Sequence, residues 1–213
     1  MRLVEELRGV NPKYFIITGD GTREFEILRE LCKKYNGYNK ILWFPKRGLK
    51  KKSGLSALDA VKDIPSDFSI NRIIYTVDAD AIEGDPHIKI KEKLESIGIN
   101  ISEVNLINEA LFIRCNFGSY SDIVLYCIIT GETSCIEEEI AKLMELKFGI
   151  NFDYSGERDA NWRKRLKNEI NIKLKEIDHR LTIKTLIREA GIRYLEESFS
   201  NICAVLKEIE REF

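Results

Sequence analysis

Three aspartates stand where apolar runs of the chain give way to polar ones: Asp20 in "YFIITGDGT", and Asp78 and Asp80 in "NRIIYTVDADAIEGD". Carboxylates gathered at one place repel unless a cation lies between them, and ligation by oxygen alone suits magnesium or manganese. A metal ion held in that way activates an attacking or leaving oxygen and neutralises charge in phosphoryl transfer. Aspartate is also an ordinary turn and helix-start residue, and beside Gly21 that role would account for Asp20 alone. It accounts less well for D-x-D at the end of so apolar a run. Glu83 and Asp85, a few residues on, fit a turn and a helix cap.

Cations that could meet a phosphate are concentrated in two places. Lys46, Arg47, Lys50, Lys51 and Lys52 crowd the loop "PKRGLKKKSG", where Gly48 and Gly54 permit close backbone approach. A merely solvated lysine-rich loop is an equal alternative. The segment "WRKRLKNEINIKLKEIDHR" has an apolar stripe that must pack inward, leaving Arg163, Lys164, Lys167, Lys175 and Arg180 for solvent or a phosphate backbone. Trp43 and Trp162 read as core residues, and His87 and His179 as surface ones.

The elements that must position these groups follow from periodicity. "KYFIIT", "KILWF" and "NRIIYTV" are continuous apolar runs, as expected of strands covered on both faces. A helix is expected from Thr22 to about Tyr35, stopped by Asn36-Gly37, and another over "LSALDAVKDI", ending before Pro65. Asp85-Pro86 reads as the cap and first residue of a third helix, which runs to Gly98. Three strand-helix units in series imply a parallel sheet with right-handed crossovers. In such sheets ligands bind at the carboxyl ends of the strands, where Asp20, Asp78 and Asp80 stand. On extended backbone Asp78 and Asp80 would share a face, and Asp20 joins them if the first and third of these strands are neighbours.

Past residue 100 the pattern changes. "EALFIRCNF" and "DIVLYCIIT", joined by "GSYS", suggest a hairpin or sheet edge. Ser134 with Glu137 resembles a capping box opening the acidic helix "CIEEEIAKLMELKF". Beyond "GINFDYSGERDAN" the chain reads as helical, with one stripe through Leu166, Ile170, Leu174, Ile177 and Leu181. A second stripe runs through Leu195, Phe199, Ile202, Leu206 and Ile209. The expected organisation is an α/β core over residues 1–130 and a helical C-terminal extension, residues 131–213, packed on it.

The 213 residues can bury one substantial core. A net charge of −1 means that any basic surface is local and offset elsewhere. No apolar run approaches a membrane span, and the start of the chain lacks the apolar segment of a secretion signal. The five cysteines lack metal-ligand spacing and sit mostly in apolar runs, which is the pattern of reduced core thiols in a cytoplasmic protein.

Two families carry sequences like "GDGT". Haloacid-dehalogenase-type phosphatases place a nucleophilic acid where this chain has Thr18, and a threonine cannot serve that chemistry. The better resemblance is to Toprim domains, the Rossmann-like fold of topoisomerases, primases and old-type nucleases. Asp20-Gly21, Glu24 and Leu28 match their first motif, and Asp78, Asp80 and Gly84 their D-x-D motif, in the right order with one strand-helix unit between them. This likeness covers roughly the first half of the chain. "IITGETSCIEEEIAKL" and "RLTIKTLIREAG" extend it to a group of uncharacterised Toprim-like proteins, with Lys184 in the tail motif. Toprim domains have glutamate where Asp20 stands, and their glycine follows D-x-D one residue sooner.

The resemblance implies Mg2+ or Mn2+ held by Asp78 and Asp80, with Asp20 as a further ligand or acid-base group. Glu24, Glu83 and Lys184 are lesser candidates. Phosphodiester hydrolysis on DNA or RNA is the implied activity, with the basic loop holding the phosphate backbone. A catalytically degenerate module that binds nucleic acid, a nucleotide or a protein is the alternative. Either reading allows a homo-oligomer.

Overall fold

The computed structural model describes residues 1–18, 22–37, 39–45 and 53–212. Asp20, Gly48 and the loop cations Lys46, Arg47, Lys50, Lys51 and Lys52 lie outside the described residues. Seven strands among the described residues form one sheet: β1 (Arg2–Val4), β2 (Tyr14–Thr18), β3 (Ile41–Trp43), β4 (Arg72–Asp78), β5 (Asn100–Ile107), β6 (Ala110–Phe117) and β7 (Tyr120–Thr130). Their spatial order is β1-β3-β2-β4-β7-β6-β5. Pairing is parallel from β1 across to β7, after which β6 and β5 add antiparallel. The fold is therefore α/β with a mostly parallel sheet, compatible with a Rossmann-like arrangement.

Both faces of the sheet are covered, which is why the parallel strands read as unbroken apolar runs. Ile16, Ile74, Tyr126 and Ile128 pack on one face against α1 (Thr22–Cys32), α4 (Ile136–Phe148), α5 (Ala160–Ile177), α6 (Ile183–Glu189), α7 (Ile192–Ser198) and α8 (Ser200–Arg211). The alternate residues Phe15, Ile73, Tyr75 and Leu125 pack on the other face against the 3-10 segment Gly54–Lys62, α2 (Asp63–Phe68) and α3 (Pro86–Ser96). Each fully buried aliphatic side chain of this kind contributes about 1.5–3 kcal/mol. Trp43, Trp162 and all five cysteines are buried, as the sequence implies. No helix among the described residues is long and apolar enough to cross a membrane.

The elements depart from sequence expectation at several points. The first helix stops at Cys32, and Lys33–Tyr35 continue as a turn. The second is a 3-10 segment that runs into α2, and Pro65 sits inside the first turn of α2, where its missing N–H costs nothing. The terminal helical region is four helices. α5 ends at Ile177, which is exposed and breaks the expected stripe, while Leu181 packs on the same core from beyond the helix. The expected stripe of Leu195, Phe199, Ile202, Leu206 and Ile209 is fully buried, although the chain breaks from α7 to α8 at Phe199. The hairpin β6–β7 forms, but its far edge carries β5, an additional strand whose side chains are mostly exposed.

This architecture sets the carboxyl ends of β2, β4 and β7 side by side. β2 lies directly beside β4, with Thr18 opposite Thr76, so the first and third of the foreseen strands are neighbours. β7 lies on the other side of β4, with Asp78 opposite Thr130. By strand alternation Asp78 falls on the same face as Ile74, and Thr130 on the same face as Ile128, which is the face covered by α4 and α5.

Candidate functional site

Asp78 closes β4 and is almost wholly buried, at 1% exposure. A buried carboxylate is tolerated only when its oxygens are satisfied. Its Oδ1 accepts from the Thr130 hydroxyl at 2.7 Å and from the backbone N–H of Ile136 at 3.0 Å. Its Oδ2 accepts from the Arg163 guanidinium. Thr130 comes from the neighbouring strand, Ile136 from the first turn of α4, and Arg163 from the first turn of α5.

Asp80 reaches the same guanidinium by another route. β4 ends at Asp78, and Ala79–Ala81 form a 3-10 turn, so strand alternation does not place Asp80 beside Asp78 as the sequence suggested. The turn is pinned where the Asp80 N–H donates to the Ser134 carbonyl at 2.9 Å, and the Ser134 hydroxyl donates back to Asp80 Oδ2 at 2.9 Å. Asp80 Oδ1 then lies 3.6 Å from Arg163 Nη1. The carbonyl of Ala81 sits 3.2 Å from where a Cβ on Gly54 would stand, and Gly54 has φ +51°, so the close approach foreseen there is to this turn.

Glu137 completes the cluster. It is buried at 4% exposure, with Oε2 3.7 Å from Arg163 Nε and Oε1 accepting from Arg23 Nη1 at 2.7 Å. Burial alone would lower the Arg163 pKa. The charges of Asp78, Asp80 and Glu137 outweigh it and hold the guanidinium above the ordinary arginine value, so it stays charged.

The expected capping box is thus replaced. Cys135 is the N-cap of α4 and makes no side-chain cap bond. Glu138 accepts from the N–H groups of Thr133 and Ser134, both at 3.0 Å, while Asp78 takes the N–H of Ile136. Ser134 and Glu137 are thereby released to face the aspartates and the arginines. Gly131 makes the tight junction possible: it has φ +80°, and a Cβ there would lie 2.4 Å from the Cys135 nitrogen.

Arg163, expected toward solvent or a phosphate backbone, instead faces the acids, whereas Lys164, Lys167, Lys175 and Arg180 are exposed. Glu24 is buried in the first turn of α1, next to Arg23. Glu83 is exposed on the turn beyond Asp80. Asp85 caps α3, accepting from the N–H groups of His87 and Ile88, as foreseen. Lys184 lies on α6, which packs against α1 and is tied by Arg188 to Glu30 at 3.4 Å; among the described residues nothing joins Lys184 to the aspartates. The structure therefore brings Asp78 and Asp80 together and adds Glu137, Arg163, Arg23 and Thr130.

One signal for those additions exists in the sequence. Three consecutive glutamates at about 100° per residue cannot all leave a helix face bounded by Ile136 and Ile140, so some must turn inward. Nothing local marks Arg163 as their partner.

Chemically, Asp78 Oδ2 and Asp80 Oδ1 both face the place where Arg163 now puts its positive charge, and both are hard oxygen donors. That fits a magnesium or manganese ion. Among the described residues no group of three acids, cysteines or histidines is close enough to hold a metal by itself. No family model matches the chain, and neither a curated protein nor a solved structure matches it.

Proposed function

We propose that the carboxyl edge of the sheet is a divalent-metal site for phosphodiester hydrolysis on nucleic acid, in a chain with a Toprim-like core. The observation that carries the reading is the convergence of Asp78 and Asp80, delivered by a strand and by the turn after it, on one cationic centre. The order of the motifs supports it too: in the sequence an acid-glycine pair comes after β2, D-x-D begins at the last residue of β4, and these strands are neighbours.

Asp78 and Asp80 would hold Mg2+ or Mn2+, with Asp20 contributing the third carboxylate. A bound ion would supply Lewis-acid chemistry, activating an oxygen and neutralising charge on the phosphoryl group. Thr130 and the Ile136 N–H fix Asp78 Oδ1, while Oδ2 accepts from Arg163, whose place a bound cation would take. Ser134 likewise fixes Asp80 Oδ2, while Oδ1 lies toward Arg163. Arg163, once relieved of its pairing with the aspartates, would be positioned to take a phosphate oxygen, for which a guanidinium is well shaped. Lys46, Arg47, Lys50, Lys51 and Lys52 would track the backbone charge.

The test is cleavage of plasmid DNA and of single-stranded DNA and RNA with and without manganese. Manganese-dependent cleavage that Asp78→Asn and Asp80→Asn each abolish is the expected result; cleavage unchanged in both variants removes the proposal. A second reading is favoured by Arg163 itself, because a guanidinium already neutralises Asp78. On that reading the chain binds nucleic acid without cutting it, and all metal ions are without effect on binding.

A further inference from the structure

Beside the acid cluster, on the other side of the first turn of α4, lies a cavity of about 610 Å³. Its walls are the β5–β6 turn, the β7–α4 junction, α4, the stretch before α5 and the α7–α8 break. Among the described residues, seven glutamates line it against Lys142 and Arg158. Arg158 is already committed: it donates to the Tyr154 carbonyl at 2.7 Å, lies 3.7 Å from Glu138 and stacks over the Trp162 ring at 3.9 Å.

Three of the other acids here have donors. Glu138 holds the α4 N-terminus, Glu145 accepts from the Phe152 N–H at 3.2 Å, and Glu196 pairs with Lys207 at 2.9 Å. Glu139 differs. It is 9% exposed, its Oε1 accepts from the Gly131 N–H at 3.2 Å, and its Oε2 has no hydrogen-bond partner among the described residues. On the facing element, Ser198 is 4% exposed and its hydroxyl is likewise without a partner among the described residues. Buried polar atoms are nearly always bonded, so two unmatched ones on the wall of the same cavity indicate a group that supplies donors to them.

We propose that this cavity binds a small aliphatic polyamine, with Glu139 and Ser198 receiving one ammonium group and Glu109, Glu132 and Glu197 at the rim facing the others. An ammonium carries three donors and no acceptor, which matches a carboxylate oxygen and a hydroxyl. The acids are spread around the walls rather than gathered on one point, so a ligand with separated positive charges fits better than a single metal ion. The volume lies in the range of small-ligand pockets. Burial, with Asp78 and Glu138 nearby, pushes the Glu139 carboxyl up to about 8 against the Gly131 N–H and Lys142. This inference is independent of nuclease activity.

The test is calorimetric titration of the full chain with spermidine, with magnesium at matched ionic strength as the comparison. Saturable one-to-one binding is expected, weakened about tenfold or more by Glu139→Gln, several-fold by Ser198→Ala, and unchanged by Glu176→Gln on exposed α5 surface. Glu139→Gln is isosteric, and its melting transition checks that the fold is intact. The proposal is overturned by an absence of saturable binding. It is equally overturned by binding that survives both cavity variants, or by magnesium displacing spermidine beyond the effect of screening. Asp78→Asn separates the two sites: it should abolish cleavage and leave saturable spermidine binding in place.

Discussion

The α4–α8 face of the sheet holds a carboxylate at each end of β4, half-buried Glu212 at one and buried Asp78 at the other, and the two are handled differently. Near the amino ends of the strands, Glu212 accepts from the Tyr14 hydroxyl at 2.6 Å, from Arg72 Nε at 2.9 Å and from the Tyr126 hydroxyl. One acid meets three donors, and Lys40 ties down the chain around it by donating to the carbonyls of Ile209, Glu210 and Glu212. At the carboxyl end Asp78, Asp80 and Glu137 share Arg163, with Arg23 assisting Glu137 alone. The first arrangement is saturated and locks the C-terminal helix α8 to β2, β4 and β7. The second sets three carboxylates against two guanidinium groups among the described residues.

The largest expected effect separates these ends. Arg163→Ala removes the guanidinium that meets Asp78 Oδ2 and should destabilise the protein by about 3 kcal/mol at neutral pH, read from urea unfolding. Manganese should restore much of that loss, because an ion that binds the folded state alone stabilises it. Arg72→Ala at the other end should lose less, since Tyr14 and Tyr126 still hold Glu212, and manganese should not restore it. Equal indifference of both variants to manganese would make the two ends alike.

The fold's core was legible because it rests on local signals. β2, β3 and β4 are apolar runs bounded by turns, and Asp85-Pro86 is a complete helix start. Asp78 and Asp80 were legible as acids that an apolar strand has no packing use for. What escaped was long-range pairing: Arg163 is far from Asp78 in sequence and shares its helix with Trp162, a buried neighbour that suggested only packing. The role of Ser134 escaped because S-x-x-E reads as a local cap until Asp78 and Glu138 take the backbone donors instead. β5 escaped because "NISEVNLI" is an edge strand whose exposed residues include Val104 and Leu106, so neither a continuous apolar run nor a clean alternation marks it.

A medium effect is expected at Glu212. Burial pushes its carboxyl up, but the hydrogen bonds from Tyr126, Tyr14 and Arg72 outweigh this and leave its pKa below the usual 4.5. An acid whose folded pKa is depressed contributes stability above its unfolded pKa and loses it as pH falls through the folded value. Glu212→Gln should therefore cost about 2 kcal/mol at pH 7, and the cost should shrink as the solution is acidified below about pH 4.5. Tyr14→Phe should remove about 1 kcal/mol of the same contribution. Urea unfolding of the three proteins across that pH range checks both, and a cost for Glu212→Gln that does not change with pH would mean that the knot does not depend on charge.

The smallest effect has the opposite sign and comes from Glu139, near the carboxyl end. Its carboxyl is pushed up to about 8, so the folded chain holds a proton that the unfolded chain releases near 4.5. Between those values the folded state binds more protons, and stability falls as pH rises. Glu139→Gln removes that penalty. It should be near neutral at pH 5 and gain about 1 kcal/mol by pH 9, discounting for the lost Gly131 bond. Saturating spermidine should give the parent protein a comparable gain at high pH while adding little to the variant, since both relieve the same uncompensated carboxylate. A parent whose stability rises through this window would show that Glu139 already has its cation, and the carboxyl edge would then be no less saturated than the Glu212 knot.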